Sequence, residues 1–286
     1  MAPPSLDLGL KDTHVLITGG AGLIGRVVVD HFVAAGSHVS SLDVSYSSPV
    51  VNINPLSDAE SLPHAPCTTI HCDISSEESV QEAFKTATDA HGPVEVCVAL
   101  ASLDLSVLQH SAFTDASFTQ LKRVLDVNVA GTWLTAREWL RGLQRAKQDR
   151  KPLGNIGLII IGSESGHFGE RLNAEYSLAK SAVQGGLLMS LRAEAVRVWE
   201  SARVNCVAPG SVDTARWTIE CKDNPEQYWL EAQATTALCK PVPLEAVAKA
   251  IVFLASENLS GHIHGQIINV DGGKQGKVMW TKEEVA

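Results

Sequence analysis

The sequence predicts a doubly wound, mostly parallel α/β sheet of seven strands with helices on both faces. Three observations predict it. Short β-branched and aliphatic runs alternate with stretches of helical period along the whole chain, which is the pattern of strand, crossover and parallel strand. A glycine-dense octet, TGGAGLIG at 18–25, joins the first run to the first helical stretch. Residues with chemical character fall at the carboxyl ends of the runs or on the helices that follow, where ligands bind in this architecture.

Taken in order, Val15, Leu16 and Ile17 supply the first strand. The octet leads into a helix whose apolar positions, Val27, Val28, Phe32 and Ala35, recur at helical spacing before Gly36 stops it. Glycine permits positive φ and lets a backbone or phosphate approach without a Cβ between. The unpaired N–H groups of the helix start favour an anion. By itself the octet fits either a phosphate cradle or a tight turn without ligand.

SHVSSLD is the second strand, ending at Asp43, and the Ser-, Pro- and Asn-rich stretch 44–66 reads as a long loop. CTTIHCD is the third strand, followed by the helix SEESVQEAFKTATDAHG with a Ser N-cap, acidic first turn and Gly stop. VEVCVALAS is the fourth. A long helical pattern runs from about Thr114 to Lys147, with Leu121, Leu125, Asn128 and Thr132 along one face. IGLIIIGS, apolar enough for burial on both faces, is the fifth strand. Residues 174–199 form a helix, ARVNCVAPG the sixth strand, PLEAVAKAIVFLAS a helix and GQIINVDGG the last strand. Without a repeat or a second apolar core, one domain over 1–286 is expected, with 211–241 a loop over the substrate pocket and 274–286 a C-terminal tail.

Composition excludes other classes. Of 286 residues, 45% are apolar and 19% charged, ordinary for a globular protein, and no apolar run reaches the length of a membrane span. The start lacks a basic region followed by an apolar block, so a cytoplasmic protein is expected. Six scattered cysteines show no metal spacing and read as reduced packing residues. The His262 and His264 pair reads as surface loop, and no metal is expected. A net charge of −9 argues against nucleic-acid and anionic-membrane partners, so a phosphate ligand must be held by backbone amides.

Asp43 closes the second strand about twenty residues past the glycines, where a carboxylate can accept from the ribose hydroxyls of an adenine dinucleotide. Asp73 suits either an adenine amino group or an Asx turn. Tyr176 and Lys180, in YSLAK, share a helical face. An ammonium about 4 Å from a phenol at an effective dielectric of about 20 contributes on the order of 4 kcal/mol, which predicts a tyrosine able to act as acid or base near neutrality. Ser163, at the end of the fifth strand, can hydrogen-bond a substrate oxygen on which charge develops. A buried Asn128 must find amide partners or sit at a helix kink.

The order TGGAGLIG, LD at 42–43, CD at 72–73, VNVAGTW, Ser163, YSLAK, VNCVAPGSVDT and INVDGG resembles that of the short-chain dehydrogenase/reductase family, from about Thr13 to Gly273. The resemblance implies a Rossmann fold and a dinucleotide, taken as NAD because of Asp43. It implies Tyr176 as acid/base, Lys180 lowering its pKa and holding the nicotinamide ribose, Ser163 polarising the carbonyl and Asn128 anchoring a water relay to Lys180. Gly19, Gly22, Leu23, Ile24, Gly25, Asp43, Asp73, Ile74 and Ala101 would bind cofactor, with Tyr176, Lys180, Pro209, Gly210, Val212 and Thr214. Two departures stand out. The single-domain branch usually has glycine where this chain has Leu23, and ALAS at 99–102 replaces the customary N-N-A-G.

The expected activity is interconversion of a secondary alcohol and a ketone. The alternatives are an epimerase or dehydratase with tightly held NAD, and a dinucleotide-sensing protein without catalysis. Ser165 and His167 beside Ser163, and Trp217 in the covering loop, are the substrate candidates, with Glu164 either a substrate contact or a support. Trp217, Tyr228 and Trp229 suggest a neutral, partly apolar small molecule, or else only pin the loop. A homodimer or homotetramer is expected.

Overall fold

The computed structural model describes residues 5–47, 51–53 and 67–285. β1 (His14–Thr18) leads through the glycines into α1 (Leu23–Ala34), and β2 (His38–Asp43) returns parallel to β1. β3 (Val51–Ile53) pairs antiparallel with β4 (Cys67–His71), itself parallel to β2. β3 was not foreseen; three residues are too few to show a period. The rest of the loop expected at 44–66, namely 48–50 and 54–66, lies outside the described residues.

α2 (Glu77–His91) starts at Ser76, whose hydroxyl accepts from Ser79 N, and stops at Gly92 with φ 81°. β5 (Val96–Ala99) follows, then α3 (Phe118–Val124), a π-helical turn at Leu125–Gly131 and α4 (Thr132–Gln148). The helix begins four residues later than expected because Ser117 caps it, accepting from Gln120 N. β6 (Gly157–Ile161) and the short α5 (Ser165–Phe168) lead to α6 (Ala174–Ser181), a second π turn at Ala182–Leu187 and α7 (Leu188–Val198). After β7 (Arg203–Pro209) come β8 (Val212–Asp213), α8 (Ala215–Asp223), α9 (Pro225–Tyr228), a third π turn at Trp229–Ala234 and β9 (Val242–Pro243). The segment read as a loop is therefore largely helical. α10 (Leu244–Ala255), α11 (Glu257–Ser260) and β10 (Ile267–Val270) complete the fold.

The sheet order is β10-β7-β6-β5-β1-β2-β4-β3, so the seven predicted strands are all parallel and β3 is an antiparallel edge. Alternation along each strand divides the core. Leu16, Leu158 and Ile160 pack with Phe84, Trp139 and Leu143 on one face, while Val15, Ile17 and Ile159 pack with Phe32, Val247 and Ile251 on the other. The order of strand addition reverses at β1, which lies between β2 and β5. That switch point opens the cleft.

At the opposite end of β1 the His14 ring is buried, hydrogen-bonded to Gly92 O at 2.8 Å and Ser40 Oγ at 2.9 Å. Burial pushes its pKa from 6.5 down to about 4, so the folded chain keeps it neutral where the unfolded chain would bind a proton. The contribution is complete above pH 6.5 and is lost as pH falls toward 4, amounting to about 3 kcal/mol. Urea unfolding of wild type and His14→Gln at pH 7 and pH 4.5 checks this. Wild type should lose the more stability on acidification, and parallel losses would refute the assignment.

Candidate active site

A cleft of about 1000 Å³ lies at the carboxyl ends of the strands. Its floor is set by the glycine turn. Gly19 has φ 74°, and a Cβ there would stand 2.8 Å from Ala101 Cα. On Gly25 a Cβ would stand 2.0 Å from Gly19 O, so the turn closes directly on α1. Thr18 Oγ1 accepts from Leu100 N at 3.1 Å and Ala101 N at 3.2 Å, fixing the segment after β5 against it. Gly22 begins α1 with no side-chain cap, and Leu23 and Ile24 line the cleft. The unpaired N–H groups of that first turn suit an anion.

Asp43 also lines the cleft. Its Oδ2 accepts from Ala21 N at 3.1 Å, and Oδ1 from Ser45 N and Oγ at 2.9 and 2.8 Å. A carboxylate so held keeps lone pairs for further donors. Asp73 forms the Asx turn, Oδ1 accepting from Ser75 N at 2.9 Å and Ser75 Oγ at 2.7 Å, with Ile74 beside it on the cleft wall. Ala101, just past β5, and Pro209, Gly210, Val212 and Thr214 also line the cleft.

Tyr176 and Lys180 stand one turn apart on α6, 8% and 3% exposed. Ser163, just past β6, stands close enough to the Tyr176 phenol to favour its ionised form, and its Oγ accepts from Ser165 N at 3.1 Å. The expected lowering of the tyrosine pKa is not found. Burial raises the phenol well above its usual 10, with Ser163 opposing. Lys180 Nζ, 5.7 Å from the tyrosine ring centroid, donates to Ile161 O at 3.0 Å and Ser102 Oγ at 3.4 Å. Burial brings the ammonium down to about 8. Removal from water is the largest cause of both shifts.

Asn128 sits in the first π turn, buried behind the cleft wall. Its Nδ2 donates to Leu103 O at 2.9 Å and its Oδ1 accepts from Leu103 N at 2.7 Å. Both the expected amide partners and the irregular helix are present, and the amide pins the segment after β5. Ser165 lines the cleft and donates to Glu170 Oε2 at 2.8 Å. Trp217 lines it as well, its Nε1 donating to Glu231 Oε2 at 2.8 Å. His167 is exposed and turned toward Asn269 Oδ1, at 3.1 Å, away from the cleft. Tyr228 packs on Trp217, and Trp229 under Lys282. These last two aromatics tie the covering segment together instead of lining the site.

Sequence reading missed two features. Gln184, in the second π turn, is 2% exposed and accepts from Ser163 N at 2.9 Å. A Cβ on Gly162 or Gly166 would collide with its amide, so the two glycines flanking Ser163 make room for the residue that holds the serine. A polar side chain breaking an apolar helix face was the available signal. The second feature is Lys274, from the predicted tail, which lines the cleft and pairs with Glu164 Oε1 at 3.1 Å. Burial lifts Glu164 to about 7, with Lys274 opposing.

Comparison with known proteins agrees with this geometry. A family model described as enoyl-(acyl carrier protein) reductase matches residues 20–275. The 3-oxoacyl-[acyl-carrier-protein] reductase MabA of Mycobacterium tuberculosis (strain ATCC 25618 / H37Rv) is 29% identical over 259 residues, 91% of each chain. The uncharacterized oxidoreductase YuxG of Bacillus subtilis (strain 168) is 30% identical over 285 residues, 96% of this chain, which spans 38% of that longer relative. A solved short-chain type dehydrogenase/reductase from Mycobacterium ulcerans superposes with a TM-score of 0.77 at 25% identity, covering 94% of this chain and 92% of that one.

Proposed function

The chain belongs to the short-chain dehydrogenase/reductase family, and from that premise we propose that it is an NAD(H)-dependent oxidoreductase interconverting a secondary alcohol and a ketone. One observation carries the reading: a serine, a buried phenol and a buried ammonium share a single cleft with a glycine cradle. Relatives named as a 3-oxoacyl-[acyl-carrier-protein] reductase and a glucose 1-dehydrogenase support the reaction class.

The residues present fit a nicotinamide dinucleotide. Glycine at 19 and 25 lets the turn close on Ala101 and on α1, and the uncapped N–H groups of that helix start would hold a pyrophosphate, while Asp43 would supply an acceptor for ribose hydroxyls and Lys180 a donor farther along the cleft. When bound, the nicotinamide accepts a hydride from the carbinol carbon, or returns one to the carbonyl carbon. In the oxidative direction the hydroxyl proton leaves to Tyr176, so that alcohol and NAD⁺ give ketone, NADH and a proton. Ser163 donates to the substrate oxygen, and Gln184 and Asn128 keep the serine and the segment after β5 in place. A cytoplasmic homodimer or homotetramer belongs to the same proposal, supported by the exposed apolar side chains of Trp133, Leu178 and Met189. Among the described residues no helix is long and apolar enough to cross a membrane.

Cofactor choice rests on Asp43, beside which Gly19, Gly22, Leu23, Val44 and Ser75 line the cleft; Arg26 of α1 acts with Asp43 on the Tyr46 phenol but does not line the cleft. A 2′-phosphate there meets the like charge of Asp43, so NADPH should bind roughly a hundredfold more weakly than NADH. Fluorescence titration with both reduced cofactors checks this. Asp43→Ser should narrow the gap, and equal affinities in wild type would refute the role. The reaction itself is tested by NADH formation from a panel of secondary alcohols. Net NADH production is expected, whereas cofactor retained through purification with no net NADH would point to the epimerase or dehydratase.

A further inference from the structure

We propose that Glu164 and Lys274 form a recognition pair for a second hydroxyl beside the reacting one, so that the substrate is a neutral polyhydroxylated compound of the sugar or sugar-alcohol class. The inference rests on the oxidoreductase reading above and deepens it.

Glu164 follows Ser163 directly, so its side chain stands one residue from the position assigned to the substrate oxygen. Its backbone is fixed by a bond from Glu164 N to Pro209 O at 2.9 Å. Lys274 arrives from the far end of the chain, where Thr236 and Lys274 form an isolated antiparallel bridge and Gln275 N donates to Thr235 O at 2.8 Å. Its Nζ donates to Glu164 Oε1 and to Glu231 O, each at 3.1 Å, which leaves one of three N–H bonds free. Glu164 Oε2 is buried without a hydrogen-bond partner. The pair therefore does not satisfy itself, although both members line the cleft.

The surroundings select among ligands. Glu170 and Glu231 line the same end of the cleft, each holding a neighbour through Ser165 Oγ and Trp217 Nε1. Glu164, Glu170 and Glu231 outnumber the one ammonium of Lys274 at this end, which disfavours a carboxylate, a phosphate or a polyanionic acyl carrier. A hydroxyl donates and accepts at once, so it can give its proton to a carboxylate while taking one from Lys274. A mono-alcohol has no second hydroxyl to do this, and would leave Glu164 Oε2 and the third Nζ proton without partners. Sites built to bond a hydroxyl discriminate strongly against analogues lacking it.

The test compares oxidation of xylitol, D-arabinitol, D-mannitol and D-sorbitol with that of 2-pentanol and 2-hexanol by the full chain with NAD⁺. In wild type the best polyol should exceed the mono-alcohols at least a hundredfold in kcat/KM. In Glu164→Gln and in Lys274→Met that ratio should fall at least tenfold, chiefly through KM for the polyol. The two substitutions lie on separate elements, so misfolding of one, seen by circular dichroism, leaves the other and the wild-type ratio to decide. Oxidation of mono-alcohols as fast as polyols, or a polyol preference unmoved by both substitutions, would overturn the inference and leave the dehydrogenase reading standing. Absence of any Tyr176-dependent alcohol oxidation or ketone reduction would overturn that reading and the inference with it.

Discussion

Tyr176→Phe should lower turnover by about 10²–10⁴-fold, the range associated with loss of a positioned acid/base, while NADH still binds. The ring is packed with Leu108, Val124 and Ala179, and phenylalanine keeps that contact. What disappears is the phenol hydroxyl with its transferable proton. Because burial holds the phenol above its usual pKa, the resting protein carries the proton and is poised to donate it. Ketone reduction should therefore be nearly level from pH 6 to 8, and alcohol oxidation should climb with pH across that span. Steady-state rates in both directions on wild type and variant decide the matter. A Tyr176→Phe protein turning over at the wild-type rate would remove the phenol from the mechanism.

Lys180→Met should separate stability from activity. The ammonium is buried, and its fall from 10.5 to about 8 corresponds to about 3 kcal/mol by which keeping it charged disfavours the folded state at neutral pH. The sign follows from that lowered value: the unfolded chain binds the extra proton between pH 8 and 10.5, so wild type gains stability as pH rises through that window and the methionine variant does not. Methionine of similar length fills the space without a charge to desolvate. At pH 7 the variant should melt no lower than wild type, and on the order of 2–6 °C higher if most of the cost is relieved. Its oxidoreductase activity should nevertheless fall more than about a hundredfold, since Ser102, Ile161 and the cofactor lose their shared donor. A marked drop in melting temperature would show that the bonds to Ile161 O and Ser102 Oγ outweigh the desolvation.

The parts of this fold that could be read in advance are those whose causes are local. Each of the seven parallel strands is a short apolar run between turn residues, and the Ser76 cap and Gly92 stop are contained in the helix they bound. The Tyr176 and Lys180 pair needs only helical spacing. The direction of their pKa shifts could not be read, because it depends on how completely the surrounding elements exclude water. Lys274 was hidden for a different reason: it meets Glu164 across 110 positions, and nothing adjacent to either announces the other. The helices of 211–241 lack a strong apolar stripe and are ordered by Trp217 on Glu231 and by Lys282 on Trp229.

The three π turns bear on which changes of length this chain can absorb. A π turn takes up one residue more than an α turn while the helix on either side keeps its packing. Loss of a residue inside Leu125–Gly131 or Ala182–Leu187 can therefore be absorbed by tightening the turn, which re-aims Asn128 or Gln184 and leaves the flanking helices seated. The same loss within α4 has no slack to draw on, and everything beyond it turns by about 100°. Single-residue deletions thus fall into two kinds along one continuous helix, those that retune the active site and those that unseat the core.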